Sequence, residues 1–122
     1  MIKGTGIDLV EIERISDAQK RQPRFYKRIL TESEQKKYLR LNGRRQAEYL
    51  AGRFAAKEAF AKALGTGIGE DLSFQDAETS NDDSGKPVMQ SKKCSGGERI
   101  HLSITHSKEF AAAQVIIESL SC

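Results

Sequence analysis

The sequence predicts an α+β protein in which an antiparallel sheet packs on one long helix. Three observations carry this. Residues 5–12 (TGIDLVEI) form an extended segment that is apolar on both faces, as a strand covered on both sides is. Residues 44–64 are an almost unbroken run of helix formers that stops at Gly65. From residue 72 onward, short alternating segments are separated by turn clusters. Strand, then helices, then strands is the order of an α+β chain rather than of repeated βαβ units.

Each element has its own local reason. In the first strand Ile7 and Leu9 point one way, and Val10 and Ile12 the other. Residues 13–30 read as short helical pieces broken at Pro23. Thr31, with Glu34 three residues later, forms a capping box that starts a helix running to about Leu41. In the long helix Gly52 is the one weak former. Ala47, Leu50, Ala51, Phe54 and Ala61 fall on one face at about 3.6 residues per turn. Residues 72–79 alternate and predict a strand. Asn81 to Gly85 is a turn cluster, residues 86–90 a short strand, and residues 91–99 a polar loop. Residues 100–105 and 110–118 predict two strands paired across residues 106–109. The 122 residues suit one domain, 1–122.

Composition narrows the function classes. With 38% hydrophobic and 30% charged residues the chain is globular rather than disordered. The N-terminus lacks the layout of a signal peptide, and no apolar run is long enough to span a bilayer, so a cytoplasmic protein with no membrane partner is expected. Cys94 and Cys122 lack zinc-ligand spacing and read as free thiols. Charge is uneven. Residues 1–62 hold 15 Lys/Arg against 8 Asp/Glu, a balance of +7, and residues 63–122 hold 5 against 9, a balance of −4; together they give the net +3. The basic half is either a solvated helix surface or a footprint for an acidic partner: nucleic acid, acidic protein or polyphosphate. The low aromatic content, 7%, argues against a nucleic-acid module, which needs bases to stack.

A few residues stand out chemically. Asp8 lies mid-strand among apolar neighbours, where a carboxylate needs a partner or a metal. Glu58 lies within the apolar arc of the long helix. It is either half of a Glu58–Lys62 surface pair or, with Asp8, half of a hard-cation site of the kind Mg²⁺ takes. A structural subunit in which both acids form ordinary salt bridges is the plain alternative. Lys62 precedes the Gly65, Gly67, Gly69 turn. A lysine beside glycines suits a phosphate, although a helix stop explains the glycines equally. His106, in S-I-T-H-S, is either a structural hydrogen-bonder or a site residue, and His101 has no evident partner.

Three segments resemble the motifs of holo-[acyl-carrier-protein] synthases among the 4′-phosphopantetheinyl transferases. They are GIDLVEIERI at 6–15, RFAAKEAFAKALGTGIG at 53–69 and HLSITHS at 101–107, with Thr105 where serine is more usual. The likeness covers essentially the whole chain and is to the short bacterial type. It implies the 4′-phosphopantetheinyl transferase fold and transfer of 4′-phosphopantetheine from coenzyme A to a serine of apo acyl carrier protein, in support of fatty acid biosynthesis. It implies Asp8 and Glu58 as Mg²⁺ ligands and Lys62 beside the transferred phosphate. Arg53, Lys62, Gly65, Gly67 and His106 are implied as coenzyme A contacts, and Arg14, Arg21, Arg24 and Arg28 as the carrier-docking face. It also implies a homotrimer with sites between subunits.

Overall fold

The computed structural model describes residues 1–120. Its elements run β1 (Ile2–Glu11), α1 (Ile12–Arg21), α2 (Phe25–Ile29), α3 (Glu32–Arg40), α4 (Gly43–Leu64), β2 (Ala77–Asn81), β3 (Pro87–Ser91), β4 (Glu98–His106) and β5 (Phe110–Ser119). A three-stranded antiparallel sheet has the order β1-β5-β4, and β2 and β3 form a separate hairpin. The expected architecture of sheet on long helix is present.

Helix α4 is the axis of the molecule. Gly65, at φ 82°, ends it in the left-handed conformation that glycine adopts freely. Ala55, Ala56 and Ala59 are fully buried against the inner face of the sheet, where Ala113, Val115 and Ile117 of β5 meet them. The N-terminal half packs Leu50 and Ala51 against Ile12, Ile15, Ile29 and Leu30 of the shorter helices. The helix is therefore buried around most of its circumference rather than along the single stripe its pattern suggested. Phe54, placed on that stripe, is only half-buried and contacts Phe25 and Phe74 instead.

Strand β1 lies unusually close to α4. A Cβ on Gly6 would sit 1.9 Å from the Ala59 carbonyl oxygen, and one on Gly4 2.0 Å from that of Ala63. Only glycine admits this approach. The even-numbered residues of β1 consequently face the helix, and Asp8 is the next in that row.

The structure corrects three expectations. Burial of β1 on both faces does not occur: Ile7 and Leu9 are 66% and 64% exposed. Their face continues across the sheet through Ala112, Gln114 and Ile116 to Thr105, Ser103 and His101. Residues 72–76 are not strand. Phe74–Asp76 is a 3-10 turn capped reciprocally, Ser73 Oγ accepting from the Gln75 N–H (2.9 Å) and the Asp76 carboxylate from the Ser73 N–H (2.9 Å). His101 has a partner, Glu118 Oε1 at 2.9 Å. The capping box at Thr31 is present as expected, but its Glu34 also reaches beyond its own helix, as described below. Cys94 is a half-buried free thiol; the expectation for Cys122 lies outside the described residues.

Candidate active site

The close packing of β1 on α4 brings three side chains together. Asp8 comes from the strand, and Glu58 and Lys62 from successive turns of the helix. Lys62 Nζ donates to Asp8 Oδ1 (3.1 Å) and to the Ile7 carbonyl (3.0 Å). Its ammonium is thereby drawn along β1 toward the acid. The Glu58 carboxyl is held above the ordinary carboxylate range. Burial is the larger cause and the neighbouring Asp8 charge the second, with Lys62 countering both. A half-buried carboxyl raised by a second carboxylate beside one ammonium forms an arrangement that a hard cation relieves. Among the described residues no group of three or more His, Cys, Asp and Glu side chains clusters in metal-binding fashion. Two carboxylates with the remaining positions left to water and substrate phosphate fit Mg²⁺, which seldom uses an all-protein cage.

The other sequence-predicted residues divide. Arg14, Arg21, Arg24 and Arg28 are all exposed on α1, α2 and the turn between them. His106 ends β4 and faces Glu48 Oε2 at 3.6 Å, on a carboxylate that also accepts from Arg44 Nε at 2.9 Å. Arg53 is not in the Asp8 group. It donates from Nε to Thr79 Oγ1 (3.1 Å), lies 4.3 Å over the Tyr49 ring, and is lowered from its ordinary value chiefly by burial. At Gly65 and Gly67 the backbone is left-handed, and the N–H groups of Gly65, Thr66 and Gly67 turn back onto the Lys62 and Ala61 carbonyls. In this structure those amides finish the helix.

Sequence reasoning missed Lys57, whose side chain is 1% exposed and faces away from Glu58. Its Nζ donates to Glu34 Oε1 (2.6 Å) and to the Ile29 carbonyl (2.7 Å). Glu34 also accepts from the Thr31 N–H and, through Oε2, from the Thr79 N–H and hydroxyl, so this buried carboxylate has four partners. The signal was present, because position 57 lies seven residues after Leu50 and three after Phe54, on the apolar stripe itself.

Two surface clefts, of about 790 and 850 Å³, lie elsewhere. One runs between α1, the start of α4 and the β4–β5 turn, the other beside α2. Neither is lined by Asp8, Glu58 or Lys62; the Asp8 side chain is 16% exposed and that of Lys62 53%, so the group is half-buried with its ammonium reaching solvent.

The comparisons with known proteins make the chain a transferase of the phosphopantetheinyl class. The model of the 4′-phosphopantetheinyl transferase superfamily matches residues 4–116, and the chain belongs to that family. It is 59% identical to the holo-[acyl-carrier-protein] synthase of Bacillus velezensis and 56% identical to that of Bacillus subtilis, in each case over 121 residues and 99% of both chains. A crystal structure of the Bacillus anthracis holo-(acyl-carrier-protein) synthase in complex with CoA (3′,5′-ADP) is 52% identical. It superposes with a TM-score of 0.89 over 98% of both chains. The Helicobacter pylori holo-[acyl-carrier-protein] synthase in complex with coenzyme A is 33% identical, with a TM-score of 0.81 over 93% of this chain and 99% of that one.

Proposed function

We propose that Asp8, Glu58 and Lys62 form the reaction centre. The chain transfers 4′-phosphopantetheine from coenzyme A to a serine of apo acyl carrier protein, giving holo carrier protein and adenosine 3′,5′-bisphosphate. The convergence of Asp8 from β1 with Glu58 and Lys62 from α4 carries this reading. Asp8 and Glu58 would hold a Mg²⁺ ion, which when bound supplies charge neutralisation and orientation for the pyrophosphate. Lys62, already tethered by Asp8 and the Ile7 carbonyl, places its ammonium where charge grows on the departing bisphosphate. The serine oxygen attacks the phosphorus that carries pantetheine. The phosphoanhydride bond breaks as the new P–O bond forms, and the hydroxyl proton passes to water, with Glu58 the alternative acceptor on this chain.

Arg14, Arg21, Arg24 and Arg28 present an exposed basic face that suits an acidic carrier protein. The bare Ile7–Leu9 face suits burial against further copies of the chain in a homotrimer.

Mass spectrometry of apo carrier protein incubated with coenzyme A and Mg²⁺ tests the centre. Wild type should add one phosphopantetheine, and Asp8→Ala should slow transfer by about a hundredfold or more, the scale of a lost charge-stabilising contact. A variant as fast as wild type would remove Asp8 from the centre.

A further inference from the structure

We infer that Gln75, Lys57 and Gln35 are positioning residues that lock the short helix α2 in place for carrier-protein docking; the inference rests on the docking reading above. Helix α2 has five residues, Phe25–Ile29, too few to be stable alone, and its last carbonyls have no partner within the helix. The Tyr26 carbonyl accepts from the Leu30 N–H, and the carbonyls of Lys27, Arg28, Ile29 and the C-cap Leu30 meet side chains from elsewhere. Gln75 Nε2 lies 2.9, 3.3 and 2.7 Å from the carbonyl oxygens of Lys27, Arg28 and Leu30. Lys57 Nζ donates to the Ile29 carbonyl at 2.7 Å, and Gln35 Nε2 to that of Leu30 at 2.9 Å. These three side chains come from the 3-10 turn after the glycines, from α4 beside Glu58, and from α3. The helix that carries Arg28 and follows Arg24 is thus fixed directly to the helix that carries the acidic site. A surface fixed before encounter loses less freedom on binding than one ordered by it.

Gln75 is exposed, and Gln75→Glu replaces its donor with a charged acceptor facing three carbonyls. Two readouts apply. The Leu30 amide, which donates to the Tyr26 carbonyl at 2.8 Å, should exchange slowly in wild type and about tenfold or more faster in Gln75→Glu. The variant should also raise the KM for carrier protein several-fold while the KM for coenzyme A and kcat stay within about twofold. A helix that merely contributed to stability would move neither KM selectively. Arg24→Glu is the control for docking. Unprotected Leu30 in wild type, or exchange unchanged in the variant, overturns the inference. So does faster exchange with unchanged carrier KM where Arg24→Glu raises it. If Arg24→Glu leaves that KM unaltered, the docking reading itself falls and takes the functional half of the inference with it.

Discussion

Lys57 and Glu58 are neighbours in sequence and serve opposite sides of one helix. Glu58 faces Asp8 across the β1 contact, and Lys57 enters the interior to meet Glu34 and the end of α2. The acidic pair was legible in the sequence because each carboxylate breaks an apolar pattern, one with period 2 and the other with period 3.6. Lys57 breaks the same pattern but passed unnoticed, because lysine is a good helix former and its partner lies 23 residues away. Glu34 was read correctly as a capping residue, and nothing local reveals its further bonds to Thr79. Removing one member of such a pair strands a buried charge. Lys57→Met is expected to destabilise the protein by about 3–5 kcal/mol, and the apolar double variant Glu34→Leu/Lys57→Met to recover much of that. Urea denaturation checks both, and a single variant as stable as wild type would show that the pair contributes little.

At the scale of elements, the long helix, its glycine stop, the Thr31 capping box and the β4–β5 hairpin were all legible, since each is written in adjacent residues. The 3-10 turn at Phe74–Asp76 was not, because Leu72 and Phe74 mimic strand alternation. The S-x-x-D spacing of Ser73 and Asp76 was the overlooked signal. The contact of β1 with α4 was also invisible, since a G-x-G in a strand does not say which carbonyls it meets. That contact decides where Asp8 stands. Gly6→Ala must push strand and helix apart, at a cost of about 3 kcal/mol and a melting temperature roughly 10 °C lower. Gly96→Ala, whose Cβ meets open space, should melt as wild type does. Thermal denaturation followed by circular dichroism compares them, and equal melting of all three would mean that the close approach is not required.

For the whole molecule, two asymmetries were legible: the charge of the first half and the apolar first strand. The basic first half, +7, emerges as exposed arginines on α1 and α2. The apolar first strand reads as covered on both sides, by the chain itself or on one face by partner subunits, and the chain alone covers one. A sequence pattern records that a face is to be buried, not which chain buries it. Covering Ile7 and Leu9 would contribute roughly 3–6 kcal/mol per chain. Light scattering should find a trimer for wild type and smaller species for Ile7→Glu, and an unchanged mass would place the assembly surface elsewhere. In the proposed centre Asp8 and Glu58 act together on one cation and a diphosphate. Calorimetric titration of coenzyme A into wild type, Asp8→Asn and Glu58→Gln, with and without Mg²⁺, measures that coupling. Mg²⁺ should tighten binding about tenfold or more in wild type and little in either variant; an equal effect of Mg²⁺ in all three proteins would contradict the site.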